Sequence, residues 1–209
     1  VAPDGYVWYT AQRTGMLGRV NPKDGSIDEF DLPYEARNPH TPIVHQGKVW
    51  FTDANNNTYG RLDPATGKVD VWTVATPKSV PYGMYAAPDG SVWIAHLGTN
   101  QLGRVNPVTG ALTAYTLPDA GARPRRLAVT SDGTVWYTDY ARGYLGALDP
   151  ALEGEFDETR TREIRAMDVV LAKARIGTRL QIDVHDPLLD AQTESISTIF
   201  LNDNLRTTG

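Results

Sequence analysis

Over the first 150 positions the apolar residues fall in short runs separated by clusters of Gly, Pro, Asn and Asp, the pattern of strands joined by tight turns. No run in this region keeps the 3.6-residue spacing of an amphipathic helix. Stretches such as Val7-Trp8-Tyr9-Thr10 and Val49-Trp50-Phe51-Thr52 do not alternate cleanly between apolar and charged residues. That predicts strands covered on both faces. The pattern also repeats. Val-Trp pairs stand at Val7-Trp8, Val49-Trp50, Val92-Trp93 and Val135-Trp136, at steps of 42, 43 and 43 residues. A second marker keeps the same step: Leu17-Gly18-Arg19-Val20-Asn21-Pro22, Tyr59-Gly60-Arg61-Leu62-Asp63-Pro64, Leu102-Gly103-Arg104-Val105-Asn106-Pro107 and Leu145-Gly146-Ala147-Leu148-Asp149-Pro150.

Each unit holds four strand-like stretches, in the third roughly Tyr82–Ala87, Ser91–His96, Gln101–Asn106 and Ala111–Leu117. Pro88-Asp89-Gly90 joins the first two, with Pro fixing φ and Gly free to take a positive one. Asn106-Pro107-Val108-Thr109-Gly110 makes the other hairpin loop. Four antiparallel strands in about 40–45 residues, with a Trp in each unit, predict a propeller blade. The fold class expected is all-β: a β-propeller-type array of about four four-stranded blades, with an irregular α/β C-terminal tail. Its propeller part is residues 1–155, with a partial first blade lacking its innermost strand, complete second and third blades, and a mostly complete fourth whose last strand is placed at Gly154 to Thr161. Propellers close with about four to eight blades. The array is therefore expected to be a partial ring, closed by self-association, by a larger ring, or by the tail covering its open edges.

Composition sharpens the boundary. All five Trp and all ten Tyr, and 16 of the 19 Gly, lie in residues 1–150, whereas 151–209 keep only Phe156 and Phe200 as aromatics. Residues 156–209 form the non-propeller segment, with a helix expected over Arg165 to Arg179 and strands at Ile176 to Val184 and Ser195 to Leu201. The net charge of −5 argues against nucleic acid as partner. No apolar run approaches the ~20 residues of a membrane span. With no cysteine there is no disulfide, thiolate nucleophile or Cys-ligated zinc. The chain starts at Val1 with no signal-like segment, which reads as a mature form or an excised fragment. The compartment stays open, an extracytoplasmic one slightly favoured.

With these motifs in view, the chain resembles the streptogramin B lyase (virginiamycin B lyase) family of seven-bladed propellers. The resemblance rests on the repeated Asp-Gly-x-Val-Trp-[Tyr/Phe]-Thr and Leu-Gly-Arg-[Val/Leu]-[Asn/Asp]-Pro-x-[Thr/Asp]-Gly, and on Leu32-Pro33 and Leu117-Pro118. It covers residues 1 to about 155. It implies a carbon–oxygen lyase, an antibiotic-resistance activity that opens a cyclic depsipeptide at its ester by elimination. A histidine base and Mg²⁺ held by carboxylates would do the chemistry.

Asn38-Pro39-His40-Thr41 places His40 at the family's Pro-His position, as the implied catalytic residue. Trp50-Phe51-Thr52-Asp53 places Asp53 where the family's second Glu stands, as the implied metal ligand. Asn38 stands where the first Glu would be, and Thr41 where Gly follows the His. At the same two positions the third unit has Tyr82 and His96, the fourth Arg125 and Asp139; at the second of them the first unit has Ala11. These residues are expected around one mouth of a central channel and would bind a small-molecule or peptide ligand there. The bland readings stay open: His40 as a hydrogen-bonded loop histidine, Asp53 as the start of an Asx turn, His96 as a loop cap, and the basic cluster of Arg123, Arg125 and Arg126 as a solvated rim, favoured over an anion site. The alternative to a lyase is a non-catalytic propeller module that binds a protein or small ligand at the channel mouth.

Overall fold

A computed structural model describes residues 2–151 and the strand backbones of 161–165, 169–171, 182–184 and 195–196. Its strands form successive antiparallel sheets. The first has three strands, β1 (Val7–Ala11), β2 (Met16–Val20) and β3 (Ile27–Asp31). The second runs in order through β4 (Pro39–His45), β5 (Lys48–Asp53), β6 (Thr58–Leu62) and β7 (Val69–Thr73). The third comprises β8 (Pro81–Ala86), β9 (Val92–His96), β10 (Gln101–Val105) and β11 (Leu112–Thr116). The fourth comprises β12 (Pro124–Val129), β13 (Val135–Asp139), β14 (Tyr144–Leu148) and β15 (Thr161–Arg165). The innermost strands β4, β8 and β12 lie side by side, with β1 next to β4, so the four sheets are consecutive blades of a partial propeller ring.

Neighbouring residues of one strand enter different cores, which explains the failure to alternate. In β5, Val49 and Phe51 join Leu17, Leu32 and Leu62 between the first two blades, while Trp50 joins Met84, Val92 and Ile94 between the second and third. Trp93 likewise faces Val135 and Tyr137 of the fourth blade. Trp50 and Trp93 are 1% exposed. Burying an indole of this kind removes on the order of 200 Å² from water, about 5 kcal/mol. Trp8 and Trp136, in the end blades, are only half-buried. Trp72, on the outer strand β7, is half-buried too, stacked 5.9 Å from Trp50 and 5.6 Å from Tyr59.

The turns use the residues that their geometry demands. Asn106 Oδ1 accepts the Val108 and Thr109 amides, and Gly110 closes the loop at φ +76°. The glycine of the Leu-Gly-Arg marker has a packing reason. Tyr9, Phe51 and Tyr137 pair across the sheet with Gly18, Gly60 and Gly146, and each ring lies over the bare glycine. The aromatic of one marker and the glycine of the other are a single packed unit.

Two expectations change beyond residue 150. The fourth blade's outer strand is β15, later than Gly154 to Thr161 and inside the segment read as tail. The helix expected over Arg165 to Arg179 gives way, where the chain is described, to strands: Arg165 ends β15 and β16 (Val169–Leu171) pairs with β17 (Ile182–Val184). The β-branched Val169-Val170 pair favours the extended form. β17 continues to β18 (Ser195–Ile196), inside the two stretches expected as strands. The rest of the expected helix lies outside the described residues.

Candidate functional site

Each inner strand of the second, third and fourth blades begins with a proline, Pro39, Pro81 and Pro124. Each then shifts register against its partner immediately afterwards. Such a bulge inserts unpaired residues and re-aims side chains. His40, Tyr82 and Arg125 all sit at this place, directly after the proline. The His40 ring lies 3.9 Å from the Tyr82 ring. Arg125 Nη2 donates to the Tyr82 hydroxyl at 3.3 Å, and its guanidinium lies over Tyr140, 4.9 Å from the ring centre. His40, Tyr82 and Arg125 are thus brought into one line across three blades, half-buried.

The residues that end the second strands do something else. Asp53 is fully buried. Its Oδ1 accepts the Asn55 and Asn56 amides, and its Oδ2 accepts the Asn38 amide and Asn56 Nδ2. Asp139, 2% exposed, takes the Arg123, Ala141 and Arg142 amides on Oδ1. Both carboxylates tie a β-turn to the residue just before the inner proline of their own blade, so the Asx-turn reading describes Asp53. In the third blade His96 has that position. Without the carboxylate, the chain arrives differently: Val80, before Pro81, takes φ +51°, although its carbonyl still accepts the Leu97 amide as the Arg123 carbonyl accepts that of Tyr140. A positive φ is uncommon for a β-branched residue.

His96 is fully buried, and neither ring nitrogen has a hydrogen-bond partner. Burial pushes its pKa down to about 4, against a smaller opposing effect of the Gln101 side chain, which lies beside it without a bond of good geometry. His96 is therefore neutral in the fold and protonated in the unfolded chain below about pH 6.5. The unfolded state binds more protons in that window, so stability should fall as pH drops from about 6.5 toward 4 and be flat above it. His40 contributes with the same sign. Urea unfolding at pH 7.5 and 5 should show the loss, and His96→Gln should reduce it; an unchanged slope in that variant would remove His96 as the source.

At the inner line, burial and then the charges of Arg126 and Arg125 hold the His40 pKa below its ordinary value. Its Nδ1 lies 3.0 Å from Thr41 Oγ1, which also accepts Arg126 Nη1 at 3.3 Å. Thr10 Oγ1 donates to the His40 carbonyl. An open pocket of about 360 Å³ at the β1–β2 turn, lined by Thr10 to Thr14, lies at the same end of the blades. Thr41 and Tyr140 carry no signal in the sequence that marks them as ligand contacts, whereas Arg126 belongs to the basic cluster noted there. Strand alternation puts Arg126 opposite Arg125, and only the bulge brings both guanidiniums near Tyr82, at 5.2 and 5.3 Å.

The donors at this line do not fit Mg²⁺, which takes a near-octahedral set of oxygens. Both Asp53 oxygens are occupied, Asn38 offers no carboxylate, and two guanidiniums stand beside His40. Among the described residues no group of three His, Asp or Glu is placed to hold a metal. Nor, among them, is any helix long and apolar enough to cross a membrane.

Blades of this construction, with bulged inner strands placing His40, Tyr82 and Arg125 at one end, form part of a β-propeller. The sequence profile described as the virginiamycin B lyase family matches residues 1–171, and the chain belongs to that family. Among solved structures it is similar to a catalytically inactive histidine-to-alanine variant of virginiamycin B lyase from Staphylococcus aureus with quinupristin. The identity is 27% and the TM-score 0.69, over 79% of this chain and 53% of that one. A streptogramin B lyase structure matches at 25% identity and TM-score 0.69, over 78% and 52%. Hydrazine synthase from Kuenenia stuttgartiensis shares the fold at 14% identity and TM-score 0.61, over 88% of this chain and 54% of that one. No curated protein matches the chain significantly. The chain spans about half the length of the solved lyases it matches.

Proposed function

We propose that this chain is the ligand-recognising part of a virginiamycin B lyase-like propeller and binds a small peptide-like ligand at the inner-strand end without itself completing a catalytic site. The observation that carries this is the continuous His40–Tyr82–Arg125 line. It offers an aromatic face, a neutral imidazole and a guanidinium, the mixture of apolar surface and few polar groups that fixes small ligands.

The lyase reading is the second one, favoured by the lowered His40 pKa, which keeps a base available at neutral pH. A base role needs Nδ1–H donated to Thr41, leaving Nε2 free to take a substrate proton. It also needs the developing enolate charge to be stabilised by groups other than a cation on Asp53, whose oxygens are occupied. Quinupristin, the compound seen with the Staphylococcus lyase, serves as the probe. Calorimetric titration should show binding to this chain that weakens on Tyr82→Ala. Chromatography with mass detection after incubation with Mg²⁺ should show only the cyclic compound. An isomeric linear product of unchanged mass, lost on His40→Ala, would replace the binding reading with the lyase; no heat of binding would remove both.

A further inference from the structure

We infer that the bulge at the start of β12 builds an anion site, and that the ligand taken at this end of the blades carries a carboxylate that docks between Arg125 and Arg126. The inference rests on the ligand-binding reading above and adds the chemistry of the ligand. Adjacent residues of a regular strand point to opposite faces. Here the register shift between Pro124 and Arg126 leaves Arg125 as an extra residue, and both guanidiniums approach one Tyr82 ring. Among the described residues neither arginine belongs to an ion pair, although Arg19, Arg61, Arg104 and Arg142 all do. The carboxylate of the same blade, Asp139, is buried, with Oδ1 turned to backbone amides and Oδ2 to the Arg142 guanidinium.

The contacts that the two arginines do make are neutral. Arg125 donates to the Tyr82 hydroxyl and Arg126 to Thr41 Oγ1, each at 3.3 Å. These hold the forks in place while leaving most of their N–H groups unused, and guanidinium forks match a carboxylate by paired hydrogen bonds. Tyr140, 67% exposed beside Arg125, gives an apolar wall for whatever carries the carboxylate. Two like charges sharing one ring repel each other, and an anion between them removes that repulsion.

The test titrates the full chain with N-acetylphenylalanine and, separately, with its neutral amide, while the His40 ring protons are followed by NMR against pH. The acid should bind at least about tenfold more tightly than the amide, as expected for a charge-assisted pair. Because Arg126 and Arg125 hold the His40 pKa down, the bound acid should shift the His40 titration upward and the amide should not. Arg125→Gln with Arg126→Gln should abolish the preference; Arg126→Gln alone, at an exposed residue, should weaken it if the double variant does not fold. Equal affinity for acid and amide would overturn the anion site while leaving the binding reading intact. No binding of the acid, or a preference that survives the double substitution, would also overturn it. Inorganic phosphate as effective as the acid would replace the carboxylate with oxyanions in general. Failure of quinupristin to bind, by contrast, bears on the reading beneath.

Discussion

Replacing Asp53 with Ala should destabilise the fold by about 3–4 kcal/mol, because four donors lose their acceptor in a site closed to water. The Asn38 and Asn56 amides and Asn56 Nδ2 contribute three of the bonds, at 2.8, 3.0 and 2.7 Å, and the Asn55 amide the fourth. Asp53→Asn keeps the shape but turns an amide NH₂ toward one pair of these donors, and should lose about half as much. Urea unfolding followed by tryptophan fluorescence measures both, in the absence of any divalent cation. The expected order is wild type, Asn, then Ala. If Ala unfolds at the wild-type urea concentration, the carboxylate is not the turn anchor, and a role in holding a ligand or metal returns.

A methyl group at Gly60 should cost about 3 kcal/mol, at the upper end of what overpacking a core does. The added Cβ would stand 2.4 Å from the Phe51 ring and 3.0 Å from the Asp70 carbonyl oxygen. Phe51 is fully buried between the first two blades, so its ring has no room to withdraw. Phe51→Leu in the Gly60→Ala background should recover part of the loss. The two changes should then be non-additive by more than about 1 kcal/mol, as contacting residues are. Additive effects in a double-mutant cycle would mean that ring and glycine do not pack on each other, and that the shared spacing of the two repeat markers has another cause.

The blades were legible because their information is local and stated several times over. Val-Trp, Leu-Gly-Arg and the Asn/Asp-Pro-x-x-Gly loops fix strand, partner and turn within about 40 residues, and the third unit's strands fall within a residue of their expected bounds. Beyond Pro150 the markers stop; there the last outer strand falls later than expected, and the described part of the expected helix is strand. The site was half legible. Position in the repeat identified both rings of residues, but could not tell which faced outward.

The sequence alone determined that this protein is a run of antiparallel blades, that His40, Tyr82 and Arg125 occupy equivalent places, and that Asp53, His96 and Asp139 occupy another set. Only the tertiary structure decided that the second set turns into the blade and the first toward the shared inner end. The physical reason is the hydrogen-bond requirement at the head of each inner strand. The amide ahead of Pro39 and Pro124 needs a buried acceptor, which draws Asp53 and Asp139 inward. The bulge after each proline frees the next side chain from the ladder. A repeat pattern records which residues are equivalent; which way each one points depends on amides and rings contributed by neighbouring strands and blades.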